Sequence, residues 1–215
     1  MRSFSVIIAL AFCLLSVDVS AEQVPAKGMF LVATEEVEGP YFAKTVILLL
    51  HHDRTGSFGL VVNRPIDVSA MESLELREDL VAYSDSFYWG GPVSQSSMHA
   101  LLRTDTPPER AEQIVDSIYL VEIDELLLAR NADTSTLRFF AGYAGWGAGQ
   151  LQYELAFNSW LVVPASEALV FADDDSDIWY QLTSKQQYRA AITLVIDQLQ
   201  KTGPGIRSAN VRGGS

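Results

Sequence analysis

The stretch Thr45-Val46-Ile47-Leu48-Leu49-Leu50-His51-His52-Asp53-Arg54-Thr55-Gly56-Ser57-Phe58-Gly59-Leu60-Val61-Val62-Asn63 decides the fold. Thr45 to Leu50 is apolar at every position after the first, so a strand there expects burial on both faces. Asp53-Arg54-Thr55-Gly56 is a turn signal, and Ser57 to Asn63 is a second apolar run. Together they read as an antiparallel hairpin. Pro65 ends it, because proline cannot donate to a strand ladder. The chain as a whole shows several short strands with few helices between them and no clean βαβ alternation, so a doubly wound sheet is not expected.

Outward from the hairpin the chain continues in short strands. Met29 to Thr34 is an apolar run before the Gly39-Pro40 break. Phe87 to Trp89 is brief and stops at Gly90-Gly91-Pro92; Met98 to Arg103 follows. Ile114 to Val121 reads as extended, and Leu137 to Ala144 as a strand leading into Gly145-Trp146-Gly147-Ala148-Gly149. Trp160 to Val163 is the last strand, closed by Pro164. Helices are expected near Ser69-Ala70-Met71-Glu72, which has capping-box spacing, and at Asp124 to Arg130. Thr106-Pro107-Pro108-Glu109 suggests a helical turn. Gln150 to Asn158 has Leu151 and Leu155 on one face. The clearest helix runs from Ser184 to Leu199. Ser184 and Gln187 suit its cap, and Tyr188, Ile192, Val195 and Leu199 share a face. The fold class is α/β in the α+β sense: a mixed, curved sheet with peripheral helices.

Composition narrows the rest. Of 215 residues, 48% are hydrophobic, enough for a core. The formal net charge of -12 opposes general affinity for nucleic acid or anionic lipid. Residues 1–21 have the order of an export leader: Arg2, the apolar run Val6 to Leu15, then Val19-Ser20-Ala21. That apolar run is too short for an ordinary membrane helix, and no stable span is expected after cleavage. Cys13 is the sole cysteine, so a cleaved chain would hold no disulfide or thiolate metal site. One domain is expected over residues 22–202, with a flexible tail over 203–215. The expected location is export, to the periplasm.

Five segments, in order, resemble the YqgE/AlgH family of bacterial proteins. They are Gly28 to Ala33; Pro40 to Val46, leading to His52; Gly56 with Gly59 to Pro65; Gly90-Gly91-Pro92-Val93; and Gly142 to Leu151. The last is the most specific, with four glycines and two aromatics in ten residues. The resemblance covers roughly Gly28 to Phe171. It implies a branched sheet curled into a pseudo-barrel, and it carries no agreed catalytic set. Family members are often labelled transcriptional regulators and usually lack a leader, so the cytoplasm is the alternative location. The family often has an acidic residue where this chain has Gln152, and the extension beyond Asp173 is long for it.

The residues quoted for the resemblance supply the candidate ligand-binding set: His52, Asn63, Arg64, Gly90, Gly91, Tyr143, Trp146 and Gln150. Asn63-Arg64-Pro65 closes a strand, and an arginine fork there suits a carboxylate or phosphate. The bland reading is that Asn63 satisfies turn backbone and Arg64 pairs with one of many carboxylates. Backbone N–H groups of the Gly145 to Gly149 run could meet an anion. The run lacks the Lys-Ser/Thr of a phosphate loop, and the glycines equally serve to seat Trp146. Gly90-Gly91-Pro92 is a tight turn by default. His51 and His52 are adjacent, so on a strand they face opposite ways, which is awkward for a shared metal. Asp173 to Asp177 lacks the glycine and glutamate of a calcium loop. No metal or cofactor is expected. The reading that follows is a non-enzymatic binding or regulatory module for a small anionic ligand or a protein partner. The alternatives are a hydrolase or transferase working near His52 and Arg64, and a transcriptional regulator.

Overall fold

The computed structural model describes residues 24–67, 78–128, 134–172 and 177–202. The expected leader, the Ser69 capping box, most of the Asp173–Asp177 loop and the tail beyond 202 lie outside these residues.

The hairpin forms as its sequence demands. β2 (Val46–Asp53) pairs antiparallel with β3 (Gly56–Val61). Val46, Leu48 and Leu50 join the central core, while Ile47 and Leu49 join a second core on the opposite face. Alternate residues point to opposite faces, so burial on both explains the unbroken apolar run. A register shift between Leu49 and His51 marks a bulge, after which His52 stands directly across from Ser57.

Around the hairpin lie β1 (Met29–Ala33), β4 (Phe87–Trp89), β5 (Val93–Arg103), β6 (Glu112–Val115), β7 (Ile118–Val121), β8 (Leu137–Gly147) and β9 (Trp160–Pro164). They form one sheet in the order β6-β7-β5-β8-β3-β2-β1-β9, with β4 beside β8. All pairings are antiparallel except β4 with β8. This is the mixed, curved sheet expected from the strand pattern, with the branch and curl that the family resemblance implies.

The branch sits at β8. Its C-terminal part pairs with β3, from Gly59↔Ala144 to Gly56↔Gly147. Beyond that the two diverge, and β4 enters the gap. Trp89 N–H donates to Arg64 O, Val61 N–H to Gly90 O, and Gly90 N–H to Ala141 O. A fork this tight brings backbones together. A Cβ on Gly90 would collide with Gly142 O, and one on Gly91 with the Tyr143 carbonyl and Ala144 nitrogen. Gly90-Gly91 is therefore the crossing point of the fork rather than only a turn.

The curl brings β6 back toward β1 and β9. Lys27 pairs with Glu112 at 3.0 Å. Glu167 receives the Ser117 hydroxyl and lies 3.7 Å from Arg103. The inside holds Phe30, Leu48, Leu60, Leu101 and Phe140, and Ile178 and Trp179 plug it, the Trp179 indole donating to Ala33 O at 2.6 Å. Buried Arg138 lies over Tyr88, 4.5 Å from the ring centroid, and donates to Ala172 O at 2.6 Å.

The described chain also holds four α-helices, α1 (Ile123–Leu128), α2 (Gln150–Ala156), α3 (Glu167–Val170) and α4 (Ile178–Thr202), and 3-10 turns at Glu78–Ser86 and Thr134–Thr136. Several local expectations change. Ile114 to Val121 is a hairpin, turning at Asp116 and Ser117, because Asp116 adopts a left-handed φ of 48°. Thr106 to Glu109 makes no helix. Gly145 to Gly147 belongs to β8, held there by β3, so the strand-to-helix junction shrinks to Ala148-Gly149. The last helix starts at Ile178, since burial of Ile178 and Trp179 outweighs the Ser184 cap signal, which lies inside the helix. Ile192, expected on a shared face, is 42% exposed.

Candidate functional site

The eight candidate residues fall in four places. Asn63 and Arg64 follow β3, where the chain must hold the incoming loop Pro40–Lys44. Asn63 Oδ1 accepts from Val46 N–H at 2.8 Å, and its Nδ2 donates to Lys44 O at 2.9 Å. The side chain thus extends the ladder of β2 by one rung. Arg64 Nη1 donates to Pro40 O at 2.9 Å and Tyr41 O at 2.7 Å, and Nη2 donates to Ala43 O at 3.0 Å. Three of its five N–H donors are so committed. Desolvation lowers its pKa, though a guanidinium keeps its charge. Its plane lies 5.0 Å from the Trp89 ring centroid. The carbonyls it collects, rather than a carboxylate, are its partners.

Trp146 and Gln150 form a second cluster. Trp146 Nε1 donates to Glu154 Oε2 at 2.8 Å, and Trp160 Nε1 reaches the same oxygen at 2.7 Å. Gln150 Nε2 donates to Glu154 Oε1 at 3.0 Å, while Gln150 Oε1 accepts from Gly147 N–H at 3.1 Å. The two indoles meet edge to face with centroids 5.9 Å apart. Both tryptophans are buried. Their polar ends are satisfied by a carboxylate on the next helix turn.

His52 lies between Ser57 and α2. Its Nδ1 is 2.7 Å from Ser57 Oγ, and its Nε2 is 3.3 Å from Gln152 Nε2. Either partner of the His52–Ser57 bond can donate, according to the tautomer of the ring. No carboxylate stands behind it among the described residues, and Ser57 is itself buried. His51 turns the other way, 3.2 Å from Asp53. The Asp53 carboxyl is lowered to about 2, chiefly by the Thr55 hydroxyl and N–H. Among the described residues no three histidine, cysteine, aspartate or glutamate side chains gather as a metal site.

Tyr143 packs edge-on against Phe58 and His99, centroids 5.5 and 5.9 Å away. Gly90 and Gly91 sit at the fork. Asn63 and Arg64 line an open groove of about 530 Å³ with Pro40, Tyr41, Pro65, Ile66 and Trp89, and none of the other six candidates lines it. Tyr41 stacks on Trp89 with centroids 6.2 Å apart and planes 16° from parallel. Tyr41 is 55% exposed. Neither its hydroxyl nor the Trp89 indole N–H has a hydrogen-bond partner among the described residues. Sequence reading passed over both rings. The signal available was an aromatic straight after Gly39-Pro40, a break that lifts it out of the core.

A second recess, of about 460 Å³, lies beside β5 and β7, lined by Met98, His99, Arg110, Leu120 and Glu122 among others. The His99 Nε2 is buried without a partner among the described residues, and burial lowers the ring's pKa.

The sequence pattern of the AlgH-like family matches residues 30–191. A UPF0301 protein of Streptomyces coelicolor is 37% identical over 169 residues, 74% of this chain and 86% of the relative. One from Shewanella oneidensis is 33% identical over 170 residues, 75% of this chain and 91% of the relative. Among solved structures, protein DIP2367 of Corynebacterium diphtheriae superposes with a TM-score of 0.64 at 27% identity, over 76% of this chain and 88% of that one. The AlgH protein of Pseudomonas aeruginosa shares the fold, with a TM-score of 0.56 at 24% identity over 91% of this chain and all of that one. With its pattern matched over residues 30–191 and relatives above 30% identity in both Streptomyces and Shewanella, this chain belongs to the AlgH-like (YqgE/AlgH, UPF0301) family.

Proposed function

We propose that this protein is a non-enzymatic binding module that docks an extended segment of a partner protein in the Tyr41–Trp89 groove. One observation carries the reading: exposed Tyr41 stacked on half-buried Trp89, whose O–H and N–H groups have no hydrogen-bond partner among the described residues. Aromatic side chains with one apolar face and one polar tip are the usual anchors of binding surfaces. The frame beneath is pre-organised, since Arg64 and Asn63 tie the Pro40–Lys44 loop to β3 and β2. Rigid frames bind with less ordering cost.

A small anionic ligand is the weaker form of the reading, because Arg64 spends most of its donors on backbone. The hydrolase or transferase alternative would rest on His52 and Ser57, a pair with no carboxylate behind the ring among the described residues and with Ser57 buried. A role at DNA is opposed by the charge of -12. We read residues 1–21 as an export leader, so the partner is sought in the periplasm.

The test is a peptide-library screen against the full chain, repeated with Tyr41→Ala and Trp89→Ala. Binders that weaken about tenfold or more in either variant, with the fold intact by circular dichroism, support the reading. Binders indifferent to both substitutions place the site elsewhere. Turnover of any substrate that disappears in His52→Ala would overturn the non-enzymatic reading.

A further inference from the structure

Resting on that docking reading, we infer that the groove's partner is an extended, proline-bearing, cationic peptide segment. The shape argues for the conformation. A polyproline II helix has three residues per turn, makes no internal hydrogen bonds and leaves its carbonyls free. It is bound by shallow grooves walled with aromatics, which stack on proline rings while outward donors take the carbonyls. Here Tyr41, stacked on Trp89, offers the aromatic surface, flanked by Pro40 and Pro65, and the donors without a protein partner among the described residues are the Tyr41 hydroxyl and the Trp89 indole N–H. The groove is open, and apart from Arg64 and Asn63, which are turned to backbone, its lining is apolar or aromatic. A chain segment with many unmet backbone donors would find little to pair with there; a proline segment has few.

The charge argues for the cationic part. The loop entering the groove carries Glu35, Glu36 and Glu38, all exposed, directly before Gly39-Pro40-Tyr41. Val37 packs into the core beneath, which fixes the loop that carries them. None of the three lies in an ion pair among the described residues. The neighbouring cations are engaged: Arg64 on three carbonyls, and Lys44 on the Tyr180 hydroxyl at 2.8 Å. Glu35 acts on Lys44 only at longer range. Exposed carboxylates on the loop that delivers Pro40 and Tyr41 to the groove favour arginine or lysine next to the prolines, and they steer such a peptide in a salt-dependent way.

The probes are a fluorescent ten-residue peptide containing four prolines and two arginines, the same peptide with both arginines replaced by glutamate, and the same with all prolines replaced by alanine. A pool of proline-free peptides of mixed charge completes the set. Binding is read by polarisation, and location by the NMR shift of the Trp89 indole N–H in the full chain. The expected result is binding of the first peptide with a shifted indole signal. Each altered peptide should bind about tenfold more weakly or worse. The E35Q/E38Q double variant, both sites being exposed, should weaken the first peptide several-fold and flatten its salt dependence. If acidic or proline-free peptides move the Trp89 signal as strongly as the first, the inference fails and the docking reading stands. If no peptide of any kind moves it, both fail.

Discussion

The indole N–H groups of Trp146 and Trp160 converge on one oxygen, Glu154 Oε2, at 2.8 and 2.7 Å. The two rings come from β8 and β9, which are not neighbours in the sheet. One carboxylate on α2 therefore joins both strands to the helix that covers them. Removing it leaves two buried donors unpaired, at about 1–3 kcal/mol each. Glu154→Ala should lower stability by about 2–5 kcal/mol, and Glu154→Gln, which keeps a carbonyl acceptor, by less. Urea unfolding with an unchanged slope would read this directly. Equal losses for the two variants would mean that packing, not the shared oxygen, matters there.

The fork predicts an uneven response among glycines. Gly90→Ala drives a Cβ into Gly142 O, backbone against backbone, so neither side can rotate away. A loss of about 3 kcal/mol or more, or failure to fold, is expected. Gly147→Ala meets no atom nearer than 4.0 Å. It should cost less than about 1 kcal/mol, although Gly147 lies within the most family-specific run. Comparable melting temperatures for the two variants would contradict the fork geometry.

Arg64→Lys keeps the charge and loses the planar fork that gathers three carbonyls. Stability should fall by about 1–3 kcal/mol. Loosening should be local: amide exchange of Ala43 and Thr45, whose N–H groups bond to Gly39 O and Phe42 O, should quicken more than that of Leu48. Uniform quickening across β2 would instead mean that Arg64 supports the whole sheet.

His99 predicts a pH dependence. Burial lowers its pKa in the folded chain, while the unfolded ring keeps a value of about 6.5. Between the two values the unfolded state binds more protons, so stability rises with pH through that window. The contribution is complete above about pH 6.5 and is lost as the pH falls toward the depressed folded value. Unfolding free energies of wild type and His99→Phe, measured from pH 7.5 down to 5, should diverge at the acid end, with the wild type falling faster. Parallel curves would show that the buried Nε2 is reached by water and costs nothing to protonate.

Some of the candidate site could be read in advance because its signals are local. Asn63, Arg64 and the glycine-rich run stood out by residue type at strand ends. Their partners did not. Arg64 finds its carbonyls more than twenty residues earlier in the chain, and Gly90 meets Gly142 on β8, a strand far later in the sequence that pairs directly with β4. Nothing in Gly-Gly-Pro distinguishes a turn from a crossing, since both demand the same missing side chain. The Ser184–Gln187 signal was local too, and misleading: a helix starts where its first turn is buried, and Ile178 and Trp179 are.

By itself the sequence determined the antiparallel hairpin at Thr45–Asn63, the burial of that first strand on both faces, and the family, whose pattern matches residues 30–191 and so runs past the expected end at Phe171. Those follow from periodicity, turn chemistry and order along the chain. Tertiary structure alone decided that Arg64 holds backbone, that Trp146 is sealed onto Glu154, and that Tyr41 and Trp89 stack at the surface. Each of these depends on which distant group occupies the neighbouring space, and a hydrogen-bond donor or a ring carries no mark in its own sequence of what it will meet.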